Sequence, residues 1–261
     1  MLIDINAYTG HWPFRQLKNN TCKTRLQLMD QYGVDISVIS NLNGAFYKNT
    51  QSANEELYEE LKADKIFRER FIPFAVINPL YSGWQDDLKE SIEKMGMKGI
   101  RLYPNYHSYD LTNQACIEVV KRARDLDLII SFSLRMVDSR VSSWMDITNE
   151  WSLKDIVPIV KAVPDAKYLI LNIANSSQLS DDETILFKKS AIIMDTSGRA
   201  ISNLGELINI YGKEKFAFGT HSPILDYCTG LLRIESLREN EAGDQTKELL
   251  RYGNAKKFFQ I

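Results

Sequence analysis

The sequence predicts a single (β/α)8 barrel spanning residues 1–261. Three observations carry that prediction. Eight short runs rich in Ile, Val, Phe and Tyr recur from one end of the chain to the other. Several are continuously apolar, the pattern of strands buried on both faces of a parallel sheet. Amphipathic helical stretches lie between them, and this alternation over 261 residues is what a single α/β barrel requires.

The runs are LIDI (2–5), ISVISN (36–41), FIPFAVIN (71–78), MKGIRLY (97–103), LIISFSL (128–134), KYLILNIAN (167–175), SAIIMDTS (190–197) and KFAFGT (215–220). The first helical stretch, 22–33, ends at Gly33 after its last apolar position. The stretch 52–70 reads as one helix, with acids early and bases late to suit the helix dipole. Stretches 84–96, 113–127, 152–165 and 203–213 follow the same plan, and the tail 244–260 also reads as helical. An open doubly wound sheet is the alternative, but the chain has no GxGxxG or GxxxxGK[ST] phosphate loop to support it. No linker, repeat or low-complexity segment divides the chain.

Composition excludes several function classes. Thirty-two Lys and Arg face 34 Asp and Glu, for a net charge of −2, so there is no electrostatic footprint for nucleic acid or an anionic membrane. No apolar run reaches the roughly 18–20 residues that span a bilayer, and no basic-then-apolar leader precedes the first strand. Cys22, Cys116 and Cys228 are widely spaced and form no CxxC pair, as expected of reduced thiols in a cytoplasmic protein.

In a barrel of this kind the active site is built at the C-terminal ends of the strands. Nearly every run here ends in a polar group: Asn6 and Tyr8; Asn41 and Asn43; Asn78; Arg101 and Tyr103; Ser133 and Arg135; Asn172 and Asn175; Asp195 and Thr196; Thr220 and His221. Such a set predicts a polar pocket for a small molecule.

These stretches resemble the amidohydrolase-related family, metal-dependent hydrolases with a TIM-type barrel that include decarboxylase and lactonase relatives. LIDINAY resembles the family's opening IDxHxH strand, and RERFIPFAVINP its PxRFxGxAxxxP stretch. MKGIRLYPNYHSYDL resembles GxKGIRLxPxxxGxxL, FAFGTHSP resembles FGTDxP, and YGNAKKFF the closing GNAxRLF. IIMDTSG matches the seventh strand. The resemblance implies a hydrolase fold, a small polar or carboxylate-bearing substrate, and a homodimer.

The resemblance also implies a metal held by two histidines of strand one, one histidine each from strands five and six, and an aspartate of strand eight. Those positions fall here on Asn6, Tyr8, Ser133, Asn172 and His221, so all five are replaced. Zinc is bound by imidazole, thiolate or carboxylate; two amides, a phenol, a hydroxyl and one imidazole are a poor set. The expectation is therefore no metal at the usual centre, with a displaced divalent ion left open and Asp195 as its nearest carboxylate.

Two readings stay open. In one, an altered enzyme uses His221 and Asp195 as its catalytic pair, with His221 transferring protons near neutral pH. Arg101 anchors an anion, a task suited to its planar fork, and Tyr103, Asn6, Tyr8, Asn172, Ser133, Arg135 and His107 contact substrate. In the other, the barrel is a non-catalytic binding protein and the same groups satisfy one another. His11, with Trp12 and Phe14, is expected to shape the rim, and Asp4 to support the base of the site.

Overall fold

The computed structural model describes residues 1–137, 143–173, 178–198 and 203–261. Its strands are β1 (Ile3–Thr9), β2 (Ile36–Asn41), β3 (Phe71–Val76), β4 (Gly99–Leu102), β5 (Ile129–Ser133), β6 (Lys167–Leu171), β7 (Ala191–Asp195) and β8 (Phe216–Ala217). They pair in chain order, each neighbour parallel to the last. The ring closes through backbone bonds from Ile5 N to Phe218 O and Tyr8 N to Ser222 O, both 2.9 Å, and from His221 N to Asn6 O at 2.7 Å. This is the (β/α)8 barrel that the alternating runs predict.

The helices are α1 (Cys22–Tyr32), α2 (Gln51–Lys62), α3 (Lys65–Arg70), α4 (Trp84–Glu93), α5 (Pro104–His107), α6 (Gln114–Asp125), α7 (Leu153–Ala162), α8 (Asp181–Lys189), α9 (Leu204–Tyr211), α10 (Tyr227–Glu235), α11 (Asp244–Glu248) and α12 (Asn254–Phe259). The predicted single helix over 52–70 is in fact two. Asp64 adopts extended backbone and its side chain accepts from Ile66 N, which caps a new helix and so breaks the run. Helix α8 opens on a capping box formed by Ser180 and Glu183, with acids in its first turn and lysines in its last. The chain before Asn254 passes through a π turn, Leu249–Gly253.

Each strand divides its residues between two apolar layers. Outward-facing Ile100, Leu102, Phe132, Ile170 and Met194 pack with helix residues such as Leu57, Leu88, Val119 and Leu207. Inside the barrel, Ile3, Ile5, Val38, Phe74, Leu169 and Ile193 form a separate cluster, closed from below by Tyr252, Phe258 and Phe259. Phe74 fills the axis so fully that β4 must begin with glycine. A Cβ on Gly99 would lie 2.5 Å from Phe74 Cζ and 2.7 Å from Ile129 O.

Strand β1 contains the irregularity that shapes the site. Ile3 and Asp4 pair with Ile36 and Ser37, but the next pair is Ala7 with Ile39. One strand therefore advances three residues while its neighbour advances two, and the side-chain alternation inverts. Leu2 packs outward and Ile3 and Ile5 inward; past the bulge Ala7 packs outward. Asn6 and Tyr8 thus turn inward at the C-terminal end, where they meet Asp195 and His221.

Candidate functional site

Above the inner apolar layer the same strands carry polar groups. Asp195, last residue of β7, is fully buried, and its Oδ1 accepts from Asn172 N at 2.7 Å. Its Oδ2 accepts from Asn6 Nδ2 at 2.6 Å and from Ser197 Oγ. Asn6 Nδ2 also lies 3.0 Å from His221 Nδ1 and 3.3 Å from Ser197 Oγ. Burial pushes the Asp195 carboxyl up, and the bonds from Ser197, Asn6 and the Asn172 amide oppose that shift.

His221 has both ring nitrogens engaged. Nε2 lies 2.9 Å from the carbonyl of Met136. A carbonyl can only accept, so Nε2 carries the hydrogen and Nδ1 offers its lone pair. Asn6 Nδ2, at 3.0 Å, donates to that lone pair, and the Tyr8 hydroxyl lies 3.3 Å from the same nitrogen and 3.9 Å from Met136 Sδ. The Tyr8 ring meets the imidazole edge-on at 5.1 Å. Burial pushes His221 down to about 3; the bond to Met136 O opposes this, and Arg101 and Arg135 add to it. The imidazole is neutral at pH 7. The backbone here is left-handed, φ 57 at His221 and φ 53 at Asn172.

Two arginines flank this network. Arg101 is fully buried, its guanidinium 4.4 Å over the Tyr8 ring. Its Nε donates to Ser131 Oγ at 3.3 Å and Nη1 to Ala7 O at 3.4 Å, while Nη2 has no partner among the described residues. Neither Asp195 nor Asp4 forms a salt bridge with it among those residues. Arg135 is 4% exposed and pairs through Nη1 with Glu150 at 2.7 Å. Its other edge, Nε and Nη2, has no partner among the described residues. The Arg135 carbonyl is held by Ser133 Oγ at 3.1 Å and by Asn172 Nδ2 at 2.9 Å, which fixes the turn after β5. A small cavity of about 10 Å³, room for about one water, lies against Tyr103, Tyr106, Ser133, Arg135 and Met136. Tyr103 reaches Ser40 Oγ at 3.4 Å.

An aromatic group covers this end. Trp12, Phe46 and Tyr106 pack edge to face at 4.9–5.5 Å, with Phe14 beside them, and join Tyr8 and Tyr103 in one cluster. Buried Asp146 fastens it, accepting from Trp12 Nε1 at 2.9 Å and Tyr106 OH at 3.3 Å. His11 itself is exposed, and its backbone N–H donates to Asn43 Oδ1 at 2.9 Å.

Most of the expected site residues are therefore brought together: Asn6, Tyr8, Asp195, His221 and Asn172 in one network, with Arg101, Tyr103, Ser133 and Arg135 around it. His107 stands apart. Its Nε2 is 2.9 Å from Gly44 O and its ring stacks on Tyr109, so it ties the β4 loop to the β2 loop. Burial pushes it down to about 4. Asn175 lies outside the described residues. Asp4 acts as a clasp, accepting from Asn6 N and Thr220 N at 3.0 Å and from Thr220 Oγ1 at 2.7 Å; its burial pushes the carboxyl up to about 6. Ser197, Met136, Ser131, Glu150 and Asp146 were not foreseen. Ser197 sits two places after Asp195 and had that spacing as its signal; the others act through backbone or from loops distant in sequence.

The donor set does not suit a divalent metal. Where cation ligands would converge, an amide nitrogen of Asn6 already donates to Asp195 and His221. A metal at that point would face an N–H group and lose the lone pairs it needs. Among the described residues, no group of three or more His, Cys, Asp and Glu is placed to hold one.

No protein-family model matches the chain, and no curated protein sequence matches it. Solved structures do match. A dihydroxybenzoic acid decarboxylase from Polaromonas sp., with manganese and 2-nitroresorcinol bound, superposes with TM-score 0.73 at 15% identity, over 99% of this chain and 96% of that one. A 2,6-dihydroxybenzoate decarboxylase from Rhizobium matches with TM-score 0.74 at 14% identity, covering 99% and 98%. A Staphylococcus aureus protein provisionally named an amidohydrolase matches with TM-score 0.75 at 16% identity, covering 100% and 99%. The structural neighbours are thus TIM-barrel proteins of the amidohydrolase superfamily, and this chain shares their fold. No helix among the described residues is long and apolar enough to cross a membrane.

Proposed function

We propose that the C-terminal end of this barrel binds a small carboxylate-bearing molecule and does so without a metal. One observation carries the reading: buried Arg135 lines a cavity, and its Nε and Nη2 have no partner among the described residues. These two nitrogens form the side-on fork of a guanidinium, the edge that takes a carboxylate with two parallel bonds. A buried cation left half-satisfied is costly, and an anion in the fork offsets that cost. Arg101 Nη2 offers a further donor. At about 10 Å³ the cavity must widen to admit more than a water, and Asn149, next to the Glu150 that pairs with Arg135, is among the residues that line it.

The binding reading is favoured over catalysis by the state of His221. A general base needs a free lone pair within reach of substrate; here Asn6 already donates to it, the Tyr8 hydroxyl lies against it and the ring is fully buried. The enzymatic reading rests on the chain of contacts from Asp195 through Asn6 to His221, and requires that chain to open when substrate enters.

The test is calorimetric titration with acetate and benzoate, beside a hydrolysis assay on p-nitrophenyl acetate. Benzoate is expected to bind, and Arg135→Gln to weaken it by about tenfold to a hundredfold, the worth of a charge-assisted pair. Absence of binding by either anion sinks the proposal. Ester turnover that His221→Asn abolishes in a folded protein makes the enzymatic reading the correct one.

A further inference from the structure

At the opposite, N-terminal end of the strands a cavity of about 670 Å³ opens between the barrel wall and the final helix. No part of the strand-end network borders it. Phe71, Ile72, Pro73, Met97, Leu128 and Phe258 give it a mostly apolar lining. Small-molecule sites have this size and character, with a few polar groups fixing orientation.

The charged side chains here are mostly of one sign. Lys62, Arg68, Lys98 and Lys167 line the cavity, against Asp127 as its one acidic side chain among the described residues, with Ile261 and its main-chain carboxylate also among the lining residues. Lys167 is paired with Asp127 at 2.7 Å, and Lys62 with Glu59 at 2.9 Å. Arg68 and Lys98 have no acidic partner among the described residues. Arg68 Nη1 reaches only the carbonyls of Leu61 and Lys62, at 3.5 and 3.2 Å, which satisfy hydrogen bonds but do not neutralise charge. An apolar chamber with two uncompensated cations complements one kind of ligand: an apolar body with a single anionic head.

We propose that this cavity binds an alkyl carboxylate, its chain against Phe71, Ile72 and Phe258 and its head at Arg68 and Lys98. Long basic side chains suit that place, since their stems extend the apolar wall while their charges stay at the rim. The site is independent of the strand-end anion site, from which it is separated by the inner core layer around Phe74.

The experiment is calorimetric titration of the full chain with decanoate, kept below its self-association range, with decanol as the uncharged control. The expected result is one decanoate per chain, with decanol binding at least about tenfold more weakly. The variant Arg68→Gln/Lys98→Gln, both positions near the surface, is expected to lower decanoate affinity by about tenfold and leave decanol unchanged. Arg135→Gln is expected to leave decanoate binding intact, which separates this site from the other. No decanoate binding overturns the proposal. So does equal affinity for decanol, binding untouched by the double variant, or loss of binding in Arg135→Gln.

Discussion

The two ends of this barrel are built from the same strands by different physics. On β7, Ile193 belongs to the apolar layer and Asp195, two residues on, anchors the polar one. On β5, Ile129 gives way to Ser131 and Ser133; on β4, Gly99 gives way to Arg101. The lower layer is held by burial, which is non-directional and roughly proportional to area. The upper layer is held by hydrogen bonds, each of which needs a partner in the right place. The difference shows in what is left over. Asn6 Oδ1, Asn172 Oδ1, Arg101 Nη2 and two nitrogens of Arg135 have no partner among the described residues, all of them in the upper layer. The inner apolar layer leaves no such polar remainder among the residues of its cluster.

The contrast can be broken most severely from below. Phe74 fills the axis and packs near Phe259 at 6.1 Å. Phe74→Ala is expected to cost about 3–5 kcal/mol, from lost burial and the cavity left behind. Urea unfolding measures it, and a cost under about 1 kcal/mol would mean the inner layer is not what holds the barrel.

From above the expected cost is smaller. Asn6→Ala removes the donor shared by Asp195 and His221, but Ser197 and Tyr8 remain bonded to them. The expected loss is about 2 kcal/mol. Stability unchanged in the variant would show that the amide does not hold the network together.

The finest test is pH. His221 titrates at about 3 when folded, below the ordinary 6.5 of the unfolded chain. Below 6.5 the unfolded state takes up a proton that the folded state refuses, so this group's contribution is complete above 6.5 and is lost as pH falls toward 3. His221→Asn keeps a residue tolerant of the left-handed backbone and removes the titration. The stability of wild type relative to this variant should fall by up to about 1.4 kcal/mol per pH unit below 6.5. Equal slopes in denaturation curves from pH 6.5 to 4.5 would show that the imidazole is not held neutral as its contacts require.

Much of this was legible in the chain. Seven of the eight strands fall within the apolar runs and β1 starts in one and continues past it to Thr9, because a parallel sheet buried on both faces leaves a continuous signal. Helix α8 carried its own signature in Ser180, Glu183 and the terminal lysines, and α10 had Asp226 as its cap, yet both are short and weakly apolar beside the runs around them. The break at Asp64 was hidden because acid-to-base order is the same for one helix as for two. At the site, residue types at strand ends identified Asn6, Tyr8, Asp195 and His221. His107 belongs to the same β4 loop as the pocket-lining Tyr106, and sequence cannot tell which way a loop side chain turns.

What the sequence determined by itself is the periodicity: which segments are strands, in what order, and that nearly every run ends in or is followed by a polar group. Those are local properties, set by side-chain alternation and by turn chemistry. What only the tertiary structure decided is which of those groups meet. The bulge in β1 turns Asn6 and Tyr8 inward against simple alternation, and closure of β8 on β1 brings His221 to them across more than 200 residues of chain. That closure places the Asn6 amide between Asp195 and His221, while the fork of Arg135 has no partner among the described residues. Such facts depend on distances between elements remote in sequence, and no local pattern encodes them.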